Sequence, residues 1–129
     1  MPLVRIDLIE GRSDEELRAL ADAVQDVMLE VFAAPAGDRY QVIHEHRPGR
    51  IIAEDTGLGF TRTAGIVVIQ VTEQGRDEGQ KKALYAGLAR ALEERAGVGP
   101  EDLIVSVVEN GSADWSFGAG RAQFLEGDL

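Results

Sequence analysis

The 129-residue chain has no cysteine, which excludes both a disulfide framework and a thiolate metal site. Basic residues are scarce too: 13 Lys and Arg stand against 23 Asp and Glu, for a net charge of −10. That balance argues against nucleic acid as a partner, because phosphate binding needs a basic footprint and no Lys/Arg-rich run exists. A protein so acidic that handles a small anion must place its few cations locally, which gives weight to any arginine beside a pocket. Long apolar runs are missing as well. Ile66–Ile69 falls far short of a bilayer span, and Arg5 and Asp7 interrupt the first apolar stretch, where a signal peptide needs its hydrophobic centre. A soluble cytoplasmic protein with no membrane partner is the expectation. Aromatic residues amount to 5%, and three of them, Trp115, Phe117 and Phe124, crowd the end of the chain.

What is present reads as globular. Hydrophobic residues make up 44% and charged residues 28%, and the length suits a single domain, 1–129. Leu3–Glu10 alternates, with Val4, Ile6 and Leu8 on one face, which predicts a strand. Ser13-Asp14-Glu15-Glu16 is a capping box opening a helix whose stripe is Leu17, Leu20, Val24, Val27, Met28 and Val31, and Ala33–Gly37, with Pro35, closes it. Tyr40–His46 predicts a second strand, Ile51–Glu54 a short return strand, and Ile66–Thr72 a third long one. A second helix is expected over about Asp77–Ala96 and a last strand over Leu103–Glu109, followed by an irregular tail. The units are thus βαβ at about 2–46, βαβ at about 65–110, and a tail at 111–129. Gly11-Arg12 and Gly75-Arg76, each between a strand end and an acidic helix start, give a faint echo of duplication.

Right-handed crossovers put both helices on one face of a four-stranded sheet. Ile66–Ile69 is apolar on both sides of its strand, and so is Leu103–Val108 apart from Ser106. The second face therefore needs cover, and a homo-oligomer in which bare faces meet supplies it.

Several residues stand out by chemistry. Arg76 is a cation at a helix start, where it opposes the helix dipole, and a planar guanidinium there is able to fork onto a carboxylate. Arg12 holds the same position in the first unit. Asp38 follows Gly37 in a loop. His44 and His46 project to one strand face at a spacing that suits a metal, but no third ligand is evident, so structural hydrogen bonds are expected and no metal. Gly57 and Gly59 lack the strand-to-helix context of a phosphate site, so no cofactor is implied.

Pro2 directly after Met1, then a short strand and Glu10-Gly11-Arg12-Ser13-Asp14-Glu15, resembles the opening of the 4-oxalocrotonate tautomerases. A closer likeness spans nearly the whole chain. Asp38-Arg39-Tyr40-Gln41, His44-Glu45-His46-Arg47-Pro48, Glu54-Asp55-Thr56-Gly57-Leu58-Gly59-Phe60-Thr61-Arg62, Glu109-Asn110 and Ala113-Asp114-Trp115-Ser116-Phe117-Gly118, with Gly120-Arg121-Ala122 beyond, resemble the malonate semialdehyde decarboxylases of the tautomerase superfamily. The resemblance implies an α/β (α+β) fold of tandem βαβ units, assembled as a homotrimer with a site around each N-terminal proline. It implies Pro2 as the catalytic amine once Met1 is removed, Asp38 as its carboxylate partner and Arg76 as the carboxylate-binding cation. Tyr40, Trp115, Phe117, Phe124 and Leu129 are then expected around the substrate, with Trp115, Phe117, Phe124 and Leu129 as an apolar wall and Arg12 as a secondary candidate. The decarboxylase pattern has a second arginine where this chain has Gln74, an amide that hydrogen-bonds without charge.

An α-amino group titrates near 7.7–8.0 in reference peptides, so a freed Pro2 is able to act as acid or base. Burial favours the base and a nearby carboxylate the acid. The reading is decarboxylation of a small β-keto acid, malonate semialdehyde first. The alternatives are tautomerisation or hydration of 2-oxo acids, and a non-catalytic trimeric binding protein.

Overall fold

A computed structural model describes residues 2–129; the expectation about Met1 removal falls outside them. The chain runs β1 (Leu3–Ile9), α1 (Asp14–Phe32), β2 (Tyr40–His46), β3 (Val67–Gln74), α2 (Glu78–Ala96), β4 (Leu103–Asn110) and a short α3 (Gln123–Glu126), with 3₁₀ turns at Pro100–Asp102 and Ser112–Asp114.

Both long helices start by the same device. Ser13 Oγ accepts the Glu16 N–H at 3.1 Å while Glu16 Oε1 accepts the Ser13 N–H at 3.0 Å. Asp77 and Gln80 repeat the exchange at 2.7 and 3.1 Å. Each pair satisfies two backbone donors that the helix leaves without partners. Helix α1 stops at Phe32, with Ala33 left-handed at φ 50°, two residues before Pro35 removes a backbone donor.

The strands form one sheet in the order β2-β1-β3-β4. Pairs β1–β2 and β3–β4 are parallel, as βαβ crossovers require, and the two units join through antiparallel β1–β3. Val4, Ile6 and Leu8 of β1 and Val67, Ile69 and Val71 of β3 meet Leu20, Val24, Met28, Leu84, Leu88 and Leu92 in one core, so the expected sheet with both helices on one face is what forms. The helices approach closely at Gly87, where an added Cβ would lie 3.0 Å from Val27 Cγ1. Alanine there gains helix propensity of about 1 kcal/mol against that crowding, whereas valine adds two branches. Gly87→Val should therefore cost about 1–3 kcal/mol in urea unfolding and Gly87→Ala much less.

The other face is bare within the protomer. It is less apolar than expected: Leu3, Val42 and Val108 are exposed there, Val42 at 52%, but Arg5, Asp7, His44, Gln70 and Ser106 sit among them. Partial burial by itself would raise the Asp7 carboxyl, yet hydrogen bonds from Arg5 and His46, with their charges, outweigh it and hold it below the usual carboxylate range.

Two expectations need correction. Ile51–Glu54 forms no strand; the Glu54 carbonyl instead accepts Arg62 Nε at 3.2 Å, and that loop is pinned to the start of β4 by Arg62 on the Glu101 carbonyl and by Asp102 holding Thr63. The tail is not wholly irregular: Glu126 Oε2 accepts the Ala122 N–H at 2.7 Å and helps wind α3. No helix among the described residues is long and apolar enough to cross a membrane.

Candidate active site

Strand register decides which candidates gather. Leu3 pairs with Tyr40 on one side and Thr72 on the other, so buried Pro2 lies at the sheet end where β2 begins and β3 finishes. Gln74 pairs with Asn110 at that same end, and Arg76 follows two residues later. Asp38, 6% exposed, stands two residues before Tyr40 in the turn that its own N–H closes onto the Pro35 carbonyl at 3.0 Å.

Arg76 is held from several sides. Its Nη1 donates to the Gln74 carbonyl at 2.9 Å and its Nη2 to the Phe32 carbonyl at 3.3 Å, while the guanidinium carbon lies 5.0 Å from the centre of the Phe32 ring. Beneath it is Glu73, 1% exposed, with Oε1 at 3.5 Å from Nη2 and accepting the Gln74 N–H at 3.2 Å. Two atoms of this group, Arg76 Nε and Gln74 Oε1, are buried without a hydrogen-bond partner among the described residues. An orphaned buried donor or acceptor costs about 1–3 kcal/mol, so these two atoms are the polar positions at this end of the sheet that most need a partner. Glu73 was missed in the sequence reading, although it had a signal: it continues the core-facing register of Val67, Ile69 and Val71, where an acid needs a reason.

The aromatic candidates form one cluster. Tyr40 stacks on Phe117 with centroids 5.8 Å apart, Trp115 on Phe117 at 5.2 Å, and Phe124 meets Phe117 edge-on at 5.4 Å. Trp115 Nε1 donates to Asn110 Oδ1 at 2.9 Å, which ties the cluster to the end of β4 beside Gln74. Gln123 fixes the intervening loop by accepting the Phe117 N–H at 3.0 Å and donating to the Gly118 carbonyl at 2.9 Å. No local pattern announced that role.

Two candidates do not join the group within one chain. Leu129 is 61% exposed and enters none of these ring contacts. Arg12 follows the far end of β1 and donates to the Gly65 carbonyl at 3.3 Å, the length of a seven-residue strand, roughly 20 Å, from Pro2. Because β1 and β3 are antiparallel, the two sequence-equivalent arginines, Arg12 and Arg76, end at opposite ends of the sheet.

Tandem βαβ units with a proline at the buried start of the first strand define a class, and comparison with known proteins agrees. The chain belongs to the tautomerase family: a model described as "Tautomerase enzyme" matches residues 38–118 and another of the same description matches 2–61. It is 53% identical over 129 residues to "Probable tautomerase YrdN" of Bacillus subtilis (strain 168), covering 100% of both chains. A crystal structure of a malonate semialdehyde decarboxylase, described as having decarboxylase and hydratase activities, shares 48% identity and a TM-score of 0.95 over 98% of each chain. The FG41 malonate semialdehyde decarboxylase inhibited by 3-bromopropiolate gives 46% and 0.94, over 98% of this chain and 97% of that one.

Proposed function

We propose that this tautomerase-family chain decarboxylates malonate semialdehyde, or a β-keto acid of similar size, to acetaldehyde and carbon dioxide without a cofactor. The observation that carries the reading is half-buried Arg76, whose buried Nε donor has no hydrogen-bond partner among the described residues, at the sheet end that also holds Pro2, Asp38 and the aromatic cluster. Arg76 grips the carboxylate and turns the breaking C–C bond parallel to the carbonyl π system. The Pro2 ammonium, supported by Asp38, donates to the aldehyde oxygen as the electron pair from the departing carbon dioxide moves onto it. The enol then takes a proton at carbon from water while its hydroxyl proton returns to the Pro2 amine, and acetaldehyde leaves. Tyr40, Trp115, Phe117 and Phe124, joined in one ring cluster, supply an apolar wall that shields the reacting atoms from water.

The site works in a homotrimer. Exposed Leu3, Val42 and Val108 on the uncovered sheet face supply the apolar contact, and Arg12 reaches a site only from a neighbouring subunit. Light scattering should give three times the mass of one chain; a monomer at working concentration would contradict this assembly.

A second reading, tautomerisation or hydration of 2-oxo acids, is favoured by Gln74, whose neutral amide suits a carbonyl or hydroxyl better than a second carboxylate oxygen. A panel of malonate semialdehyde, phenylenolpyruvate and an acetylenic 2-oxo acid separates the two. Carbon dioxide release from the first, faster than turnover of the others, is the expected result. Ketonisation without carbon dioxide would replace the first reading with the second.

A further inference from the structure

The pairing of β1 with β2 sets Asp7 directly opposite His44 and places His46 two residues on, all on the sheet face that the helices leave bare. One ligand atom from each of the three lies within 4.8 Å of the others. This is the third ligand that the two histidines lacked in the sequence, and it comes from a strand more than thirty residues away.

We propose that Asp7, His44 and His46 form a divalent transition-metal site of the zinc type, separate from the Pro2 site. Zinc bonded at about 2.0–2.1 Å needs tetrahedral donors about 3.3–3.4 Å apart. Asp7 Oδ1 lies 2.7 Å from His46 Nε2 and 3.8 Å from His44 Nδ1, so the observed spacings bracket that requirement and modest side-chain rotation meets it. Two imidazoles and one carboxylate leave a fourth position for water.

A cation already occupies this corner. Arg5 Nε donates to Asp7 Oδ2 at 3.0 Å, and its Nη2 lies 2.9 Å from His44 Nδ1. A guanidinium has only donors, so the His44 Nδ1 lone pair faces it and stands free for a metal once the arginine leaves. The Arg5 side chain is 49% exposed within the protomer, so packing within one chain does not hold it against the two ligands. His46 Nε2 donates to the Asp7 carboxylate, so its proton must move to Nδ1 before Nε2 ligates; metal uptake is thus coupled to proton rearrangement. Arg5 acts as an internal cation that competes with the metal.

The test is equilibrium dialysis of the untagged full-length protein against zinc, with thermal melting alongside. The wild type should bind one zinc per chain, and zinc should raise its melting temperature. His44→Gln and His46→Gln should each weaken binding at least 30-fold, while Arg5→Ala should tighten it about tenfold. All variants should melt within a few degrees of the wild type without zinc and decarboxylate or tautomerise at its rate. Zinc uptake by the wild type no greater than by the His44→Gln/His46→Gln double variant would overturn the proposal. So would affinity unchanged or weakened in Arg5→Ala.

Discussion

Pro2→Ala should lower turnover of the authentic substrate by about 10²–10⁴-fold, the range that a positioned proton-transfer group contributes, with KM changed little. The substitution replaces a secondary amine with a more mobile primary one and leaves the aromatic cluster and Arg76 untouched. A structural role would act differently. Pro2 is buried at the start of β1, so a packing defect would appear in the unfolding midpoint as well as the rate. The expected pattern is a large loss in kcat beside a small change in stability. An alternative step, attack of the amine on the aldehyde to give an iminium that accepts the electron pair, makes a further prediction. Borohydride added during turnover then leaves a stable adduct on the Pro2 peptide, whereas simple polarisation of the carbonyl leaves none.

Arg76→Ala is expected to cost about 10³-fold in kcat/KM. A guanidinium and a carboxylate at 4 Å attract by about 4 kcal/mol at an effective dielectric near 20, and each 1.4 kcal/mol is a factor of ten. Arg76 also packs on Phe32 and lies beside the buried Glu73, so the alanine variant is destabilised as well, and rates must be compared on protein shown to be folded. Arg76→Lys separates the two effects. It keeps the charge over Glu73 but loses the planar fork, so it should melt close to the wild type and still lose activity. Equal activity in Arg76→Lys and the wild type would mean that the guanidinium serves the fold rather than the substrate.

The parts of this fold that were legible in the sequence are those with local causes. Ser13 and Glu16 announced α1 because a capping box is a four-residue device, and the alternation of Val4, Ile6 and Leu8 announced β1 because one face is buried. The gathering of Tyr40, Trp115, Phe117 and Phe124 was expected from a family likeness and takes its form from the Asn110 and Gln123 side chains. What stayed hidden depends on pairing between distant segments. Nothing local says that β1 and β3 run antiparallel, and that one fact sends Arg76 to the Pro2 end and Arg12 to the other. Likewise, the register that faces Asp7 with His44 is a property of two strands together. The residues Ile51–Glu54 alternate weakly enough for a strand, but Arg62 takes the Glu54 carbonyl and leaves no ladder to join.

The most direct test of the catalytic account is to block the terminal nitrogen. The chain has only two lysines, Lys81 and Lys82, so on protein whose intact mass shows Met1 removed, graded cyanate treatment followed by peptide mass measurement reports the carbamoylated fraction of the Pro2 terminus with little interference. Turnover should fall in proportion to that fraction and vanish when it reaches one. Protein fully carbamoylated at Pro2 that still consumes its substrate at the original rate would contradict the role given to the amine.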